Sequence, residues 1–214
     1  MYRNLKASGI VLAGGKSLRL DLDKRLVKIG NQSLIERSIS LVAPVVDEVI
    51  AVSSQGRVPS LMINDLNVRI VSDIYSDQGP LAGIHAGLSA SNTSLNVVVA
   101  CDMPFLQQNL LYYMLQISSG FDAVIPCICG LLEPLHAVYN KSCLELIENQ
   151  LGRGRRKISS MLMLAKVRYL EQEEIKRFDP ELMSFFNVNN AEDLSRAREL
   201  AAARINHADV PATR

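Results

Sequence analysis

The sequence predicts an α/β protein built on a doubly wound, mostly parallel sheet, and three observations carry that expectation. Apolar runs that read as strands alternate with amphipathic runs that read as helices, the order expected of βαβ units. The first four apolar runs are near-continuous Val, Ile, Leu and Ala, as expected where helices cover both faces of a sheet. The first of them ends on Gly14-Gly15, a pair that stops a strand and opens a loop.

Residues 9–13, 48–53, 68–72, 96–101, 122–126 and 135–139 are the strand candidates. Between the first two, residues 33–42 place Leu34, Ile35, Ile39 and Val42 at helical intervals, and residues 80–90 and 109–117 repeat the pattern. Beyond Tyr139 the alternation weakens: 141–150 and 158–164 read as helices, 167–170 as a strand and 191–205 as a charged amphipathic helix. Met161, Leu162, Met163 and Leu164 read as core. Residues 207–214 are expected to fray. Without a repeat or a Pro/Gly-rich linker, residues 1–206 are expected to form one domain.

Composition narrows the function classes. The 214 residues are 48% hydrophobic and 21% charged, far from the composition of disordered chains. Lys and Arg total 23 against 22 Asp and Glu, so no global field favours nucleic acid or an anionic membrane. Aromatics are 5% with no Trp, which leaves little for base stacking. No apolar run approaches the roughly 18 residues of a membrane span, and the N-terminus lacks a signal-peptide cleavage pattern. A cytoplasmic protein is expected. Cys101, Cys127, Cys129 and Cys143 lack CxxC spacing and sit in apolar runs, so they are expected to be buried, reduced thiols.

The chemistry concentrates in residues 14–28, a connection longer than the usual span of about 2–6 residues. Gly14 and Gly15 let backbone N–H groups converge on one point, and Arg19 and Lys24 add cations, which together make a phosphate cradle. The loop is neither GxxxxGK[ST] nor GxGxxG. A second signal is Asp102, which ends the apolar run 97–101 ahead of Pro104. A carboxylate at a strand's carboxyl end can hold a Mg²⁺ that bridges phosphates; the competing role is a helix N-cap. Asp73 ends another strand candidate and is followed by Gly79-Pro80-Leu81-Ala82-Gly83, a helix start with free N–H groups. Arg153, Arg155, Arg156 and Lys157 crowd five positions, matching either an anionic ligand or a solvated loop. His85 and His207 read as packed or surface histidines.

These residues, taken in order, resemble one family, the molybdenum cofactor guanylyltransferases. Its signature LAGGxSxRMGxDKxL is similar to the stretch from Leu12 and Ala13 through Gly14, Gly15, Ser17, Arg19, Asp23 and Lys24 to Leu26. Its D…GPLAG and CDxP patterns look like Asp73 with residues 79–83, and Cys101 with Asp102 and Pro104. Its PLHA and FxNxNTPEDL patterns look like Pro134-Leu135-His136-Ala137 and residues 186–194. Leu20 and Asp21 replace the family's Met-Gly, and Asn190-Ala191 its Thr-Pro.

The resemblance implies a Rossmann-like sheet of the nucleotidyltransferase type and an enzyme that joins GMP from Mg-GTP to the phosphate of molybdopterin, releasing pyrophosphate. By this analogy Leu12, Ala13, Gly14 and Gly15 receive the nucleotide with Asp73, Lys24 and Asp102. Arg19, Lys24 and Asp102 serve catalysis, Asp102 as the Mg²⁺ ligand. Arg155, Arg156 and Asn189 face the acceptor, with Asn189 open to a second role as the cap of the last helix. His136 need not be a base, because the acceptor phosphate is already largely a dianion at neutral pH.

Overall fold

In the computed structural model, residues 5–13, 27–53, 68–72 and 79–208 are described, with 204–208 as backbone only. Strand β1 (Ala7–Leu12) is buried along its whole length and lies inside the main sheet, paired on both sides. A small hairpin, β2 (Lys28–Ile29) and β3 (Gln32–Ser33), leads into helix α1 (Leu34–Val42). Ser33 caps α1 in a reciprocal box: its hydroxyl accepts from the Glu36 amide at 3.4 Å, and the Glu36 carboxylate accepts from the Ser33 amide at 2.7 Å. The Ser33 amide and hydroxyl, both donating to the Glu36 carboxylate, hold its pKa below the ordinary value.

Strands β4 (Glu48–Ser53) and β5 (Val68–Ser72), helix α2 (Pro80–Ala90), strand β6 (Leu95–Ala100) and helix α3 (Gln108–Gln116) complete the first half. The order β5-β4-β1-β6 is parallel throughout. From β1 the order steps one way to β4 and β5, and the next strand, β6, lies on the other side of β1, so the order reverses between β1 and β6. Alternate residues of the strands feed two cores. Val11, Val97 and Val99 pack with Ile35 and Ile39 of α1 and Leu110 of α3. Ile10, Ile50 and Val98 pack with Leu81 and Ile84 of α2 on the opposite face.

Helix α2 sits close on β1 because it carries glycine at the contact. A Cβ on Gly87 would lie 2.4 Å from Ile10 Cγ2, and one on Gly83 would lie 3.3 Å from Leu12 Cδ2. Gly79, at φ +78°, makes the entry turn that an L side chain would strain.

The second half departs from simple alternation. Strand β7 (Ala123–Ile128) turns through Cys129 and Gly130, both at positive φ, into β8 (Leu131–Leu132), followed by β9 (His136–Asn140). A two-residue connection has no length for a crossover, so the chain must return antiparallel. Strand β9 is therefore antiparallel to both β6 and β7. Helices α4 (Cys143–Gly152) and α5 (Ile158–Leu162) cover the α2 face, and β10 (Val167–Glu171) pairs parallel with β7. Helix α6 (Gln172–Ile175), a 3₁₀ turn (Met183–Phe185) and α7 (Ala191–Ala208) follow.

Three expectations need correction. Met161 and Leu162 are core, but α5 stops at Leu162 and leaves Met163 85% and Leu164 57% exposed. Cys101 and Cys143 are buried free thiols, whereas Cys127 is half-buried and Cys129 is exposed on the hairpin tip. The last helix runs to Ala208, beyond the end at residue 205 that its periodicity suggested.

Candidate active site

The reversal between β1 and β6 opens a crevice at their carboxyl ends, where open α/β sheets take ligands. The two strand ends are joined there by the Cys101 amide, which donates to the Leu12 carbonyl at 3.1 Å, and the Ala13 amide ties β1 to β4 by donating to the Val52 carbonyl at 2.8 Å. Leu12 and Ala13 are buried and form the floor. The connection 14–26 departs from this point. Gly14, Gly15, Arg19, Asp21 and Lys24 lie outside the described residues, as does Asp73 after β5. Helix α2 starts at the same edge with no side-chain cap, so the positive end of its dipole faces the crevice.

Asp102 occupies the turn directly beyond β6 and is partly exposed. It does not cap α3, which starts only at Gln108 with Gln107 in the cap position. The turn is braced from two sides. From α1, the Ser38 hydroxyl donates to the Cys101 carbonyl at 3.2 Å and Arg37 Nε to the Pro104 carbonyl at 2.7 Å, with the guanidinium 5.5 Å from the Phe105 ring centre. From the segment before α7, the Val188 amide donates to the Asp102 carbonyl at 2.9 Å. Neither Arg37, Ser38 nor Val188 stood out in the sequence, because each acts through a backbone carbonyl of a distant segment.

The Val188 bond brings Asn189, which is exposed, beside Asp102. The cap of α7 is the next residue: Asn190 Oδ1 accepts from the Asp193 amide at 2.8 Å, and the Asp193 carboxylate accepts from the amides of Asn189 and Asn190. Asn190 thus fills, with its own side chain, the capping place of the family's Thr.

No cluster of three or more His, Cys, Asp or Glu suited to a metal exists among the described residues. A single carboxylate at the crevice fits Mg²⁺ all the same, since that ion keeps several waters and takes one or two carboxylates with substrate phosphates.

The loop with Arg153, Arg155, Arg156 and Lys157 is exposed throughout. Helix α4 starts at the amino edge of the sheet, where Cys143 Sγ and Ser142 Oγ donate to Asp122. Its ten residues rise about 15 Å and bring this loop back to the carboxyl edge, on the α2 side. Halfway along, buried His85 of α2 places Nε2 3.1 Å from Glu148 of α4. Buried Gln150 holds the base of the loop: its carbonyl accepts from the Arg153 and Arg155 amides, and its Oε1 from the Arg155 guanidinium at 3.5 Å.

His136 is fully buried at the start of β9, and burial pulls its pKa from 6.5 down to about 4 although nearby Asp179 pushes it up. It is therefore a neutral imidazole enclosed by protein. Glu133, three residues earlier, is half-buried, and burial raises its carboxyl pKa.

Among the described residues no helix is long and apolar enough to cross a membrane. A MobA-like NTP transferase domain matches residues 9–169. A probable molybdenum cofactor guanylyltransferase of Pelotomaculum thermopropionicum is 37% identical over 92% of this chain and 94% of its own length. A molybdenum cofactor guanylyltransferase of Desulfosudis oleivorans is 33% identical over 93% and 98%. The crystal structure of molybdopterin-guanine dinucleotide biosynthesis protein A from Archaeoglobus fulgidus superimposes with a TM-score of 0.80 at 31% identity, covering 92% of this chain and 99% of that one. A cytidylyltransferase from Thermus thermophilus, at 15% identity and a TM-score of 0.69, shares the fold alone. With the switch-point crevice, the Asp102 turn and the matched span in agreement, this chain belongs to the MobA-like NTP transferase family and is a nucleotidyltransferase.

Proposed function

We propose that the chain transfers GMP from Mg-GTP to the phosphate of molybdopterin and releases pyrophosphate, forming the guanine dinucleotide cofactor. The observation that supports this most is the braced Asp102 turn, joined to Leu12 across the β1/β6 crevice. Leu12 and Ala13 floor the base slot. Gly14 and Gly15 supply backbone donors, and Arg19 and Lys24 neutralise charge that gathers on the α-phosphoryl group and the departing pyrophosphate. Asp102 would hold Mg²⁺, which when bound offsets phosphate charge and orients the leaving group. Asp73 contacts the nucleoside. Arg155 and Arg156 take the acceptor's anionic groups, and Asn189 orients phosphate beside Asp102. A protein base is not required, because the acceptor phosphate has a second pKa near about 6 and attacks as a dianion. Enclosed, neutral His136 fits that assignment.

The test is Asp102→Asn, which keeps size and backbone bonds but removes the charge. Pyrophosphate release with Mg-GTP and molybdopterin should fall by more than about 100-fold, the scale of losing one strong electrostatic contact. Turnover near the wild-type rate would place the metal elsewhere. The same assay run with GTP, CTP and UTP should show GTP preferred; a CTP preference would move the chain to a cytidylyltransferase role.

A further inference from the structure

His136 carries two polar atoms that the fold leaves unmatched. Both ring nitrogens are buried without a hydrogen-bond partner, and the side chain is 0% exposed. A neutral imidazole always keeps one N–H donor and one acceptor. Leaving both unpaired in a core costs stability that an apolar residue of similar shape would not. Its surroundings show what it acts on. The ring lies 4.8 Å, centre to centre, from Phe185. Buried Asp179 is near enough to oppose the effect of burial on it.

Phe185 and Asp179 belong to residues 176–190, the strap between α6 and α7. Asp179 shapes the strap by accepting from the Met183 and Ser184 amides at 3.0 and 2.7 Å. Leu182 between them is held at φ +54°. Beyond it the strap grips the Asp102–Gln107 loop at three points: Ser184 Oγ accepts from the Gln107 amide at 3.0 Å, Phe186 packs edge-on against Phe105 at 5.7 Å, and the Val188 amide bonds Asp102. The inner side of the strap rests on His136.

We propose that His136 is a positioning residue for the Asp102 turn: pressed on Phe185, with Asp179 of the same strap nearby, it fixes the strap whose Val188 amide holds Asp102 and whose Asn189 stands beside it. Each Asp179 oxygen accepts one backbone amide and keeps a further lone pair, so a carboxylate with spare acceptor capacity lies near the imidazole, although no hydrogen bond joins the two. Apolar packing alone would hold the strap without fixing its orientation. The functional part of this inference rests on the proposed role of Asp102; the structural part does not.

The experiment compares wild type with His136→Phe, which keeps a ring against Phe185 but removes both nitrogens, and with Phe185→Leu, which breaks the contact from the other side. Amide hydrogen exchange read at single residues should show protection of Val188, Met183 and Ser184 falling roughly tenfold or more in both variants, a local opening. Val97, Val98 and Val138 in the neighbouring strands should keep theirs. In turnover assays kcat should fall with the KM for GTP little changed. Unchanged exchange at Val188 in both folded variants would overturn the proposal, as would loss of protection spread evenly over β6 and β9. Should Asp102→Asn prove active while Val188 protection still depends on His136, the assignment of Asp102 fails and the strap inference stands.

Discussion

Two alanine substitutions in one helix test how α2 sets the floor of the crevice. Replacing glycine by alanine inside a helix stabilises it by about 1 kcal/mol when nothing opposes the new methyl group. At Gly87 the methyl would meet Ile10 Cγ2 at 2.4 Å, Cδ1 at 3.0 Å and Cγ1 at 3.1 Å. Ile10 is fully buried in a strand paired on both sides, and its β-branch cannot swing both γ carbons away. A 2.4 Å approach to a γ carbon that cannot move falls in the upper part of the roughly 1–3 kcal/mol that overpacking costs, so after the helix gain Gly87→Ala should end about 1–2 kcal/mol less stable than wild type. At Gly83 the nearest atom is the end of a Leu12 side chain at 3.3 Å, which yields by a few tenths of an ångström. Gly83→Ala should therefore be neutral or slightly stabilising, yet shift Leu12 and raise the KM for GTP. Denaturant melts at pH 7 measure the stability difference, about 2 kcal/mol or roughly 5 °C in Tm for a chain of this size. Adding Ile10→Ala to Gly87→Ala should recover part of the loss and reveal a coupling on the order of 1 kcal/mol. Equal stability of the two single variants would refute the contact between α2 and β1.

Acid should find His136. Its pKa falls from 6.5 when unfolded to about 4 when folded, so the unfolded chain binds the extra proton between these values. Its contribution is intact above pH 6.5 and is lost as pH falls toward about 4, on the order of 3 kcal/mol in all. Urea melts across that window should show the slope, and His136→Phe should remove it; an unchanged slope would assign it to other groups. Arg155→Ala with Arg156→Ala should raise the molybdopterin KM more than the GTP KM in a two-substrate kinetic grid, whereas a purely solvated loop would move neither.

The half of the fold that alternates strand and helix was legible because burial on both faces writes itself as unbroken apolar runs, and β1, β4 and β6 stand where those runs stand, while β5, an edge strand interrupted by Arg69, is only partly buried. The second half was less so. Its decisive event is a two-residue turn at Cys129-Gly130, a pair without the usual Asn-Gly signal, and it reverses the strand direction. Asp102 was legible as an acid closing a strand, but its bracing was not. Arg37, Ser38 and Val188 reach backbone carbonyls, which every sequence offers everywhere. Asn189 and Asn190 could be told apart only by geometry, since a cap depends on which side chain meets the third amide of the helix. The strap over His136 was illegible for a related reason: residues 176–190 have no period, and their order comes from single contacts to segments remote in sequence.

The place of β9 in the sheet carries a cost in time during synthesis. Strands β5, β4, β1 and β6 and their helices are encoded before residue 117, so this half can assemble as it leaves the ribosome, with β6 as an open edge. The strand that covers that edge, His136–Asn140, is made about 40 residues after β6. At roughly 5–20 residues per second the apolar edge stays unpaired for on the order of 2–8 s. Over that interval β6, whose last five residues are buried once folded, offers a free row of amides and carbonyls to any passing strand. Slowed translation between codons 101 and 140 would lengthen the exposure without changing a single residue, and yield of soluble protein would then fall while the folded molecule stayed the same.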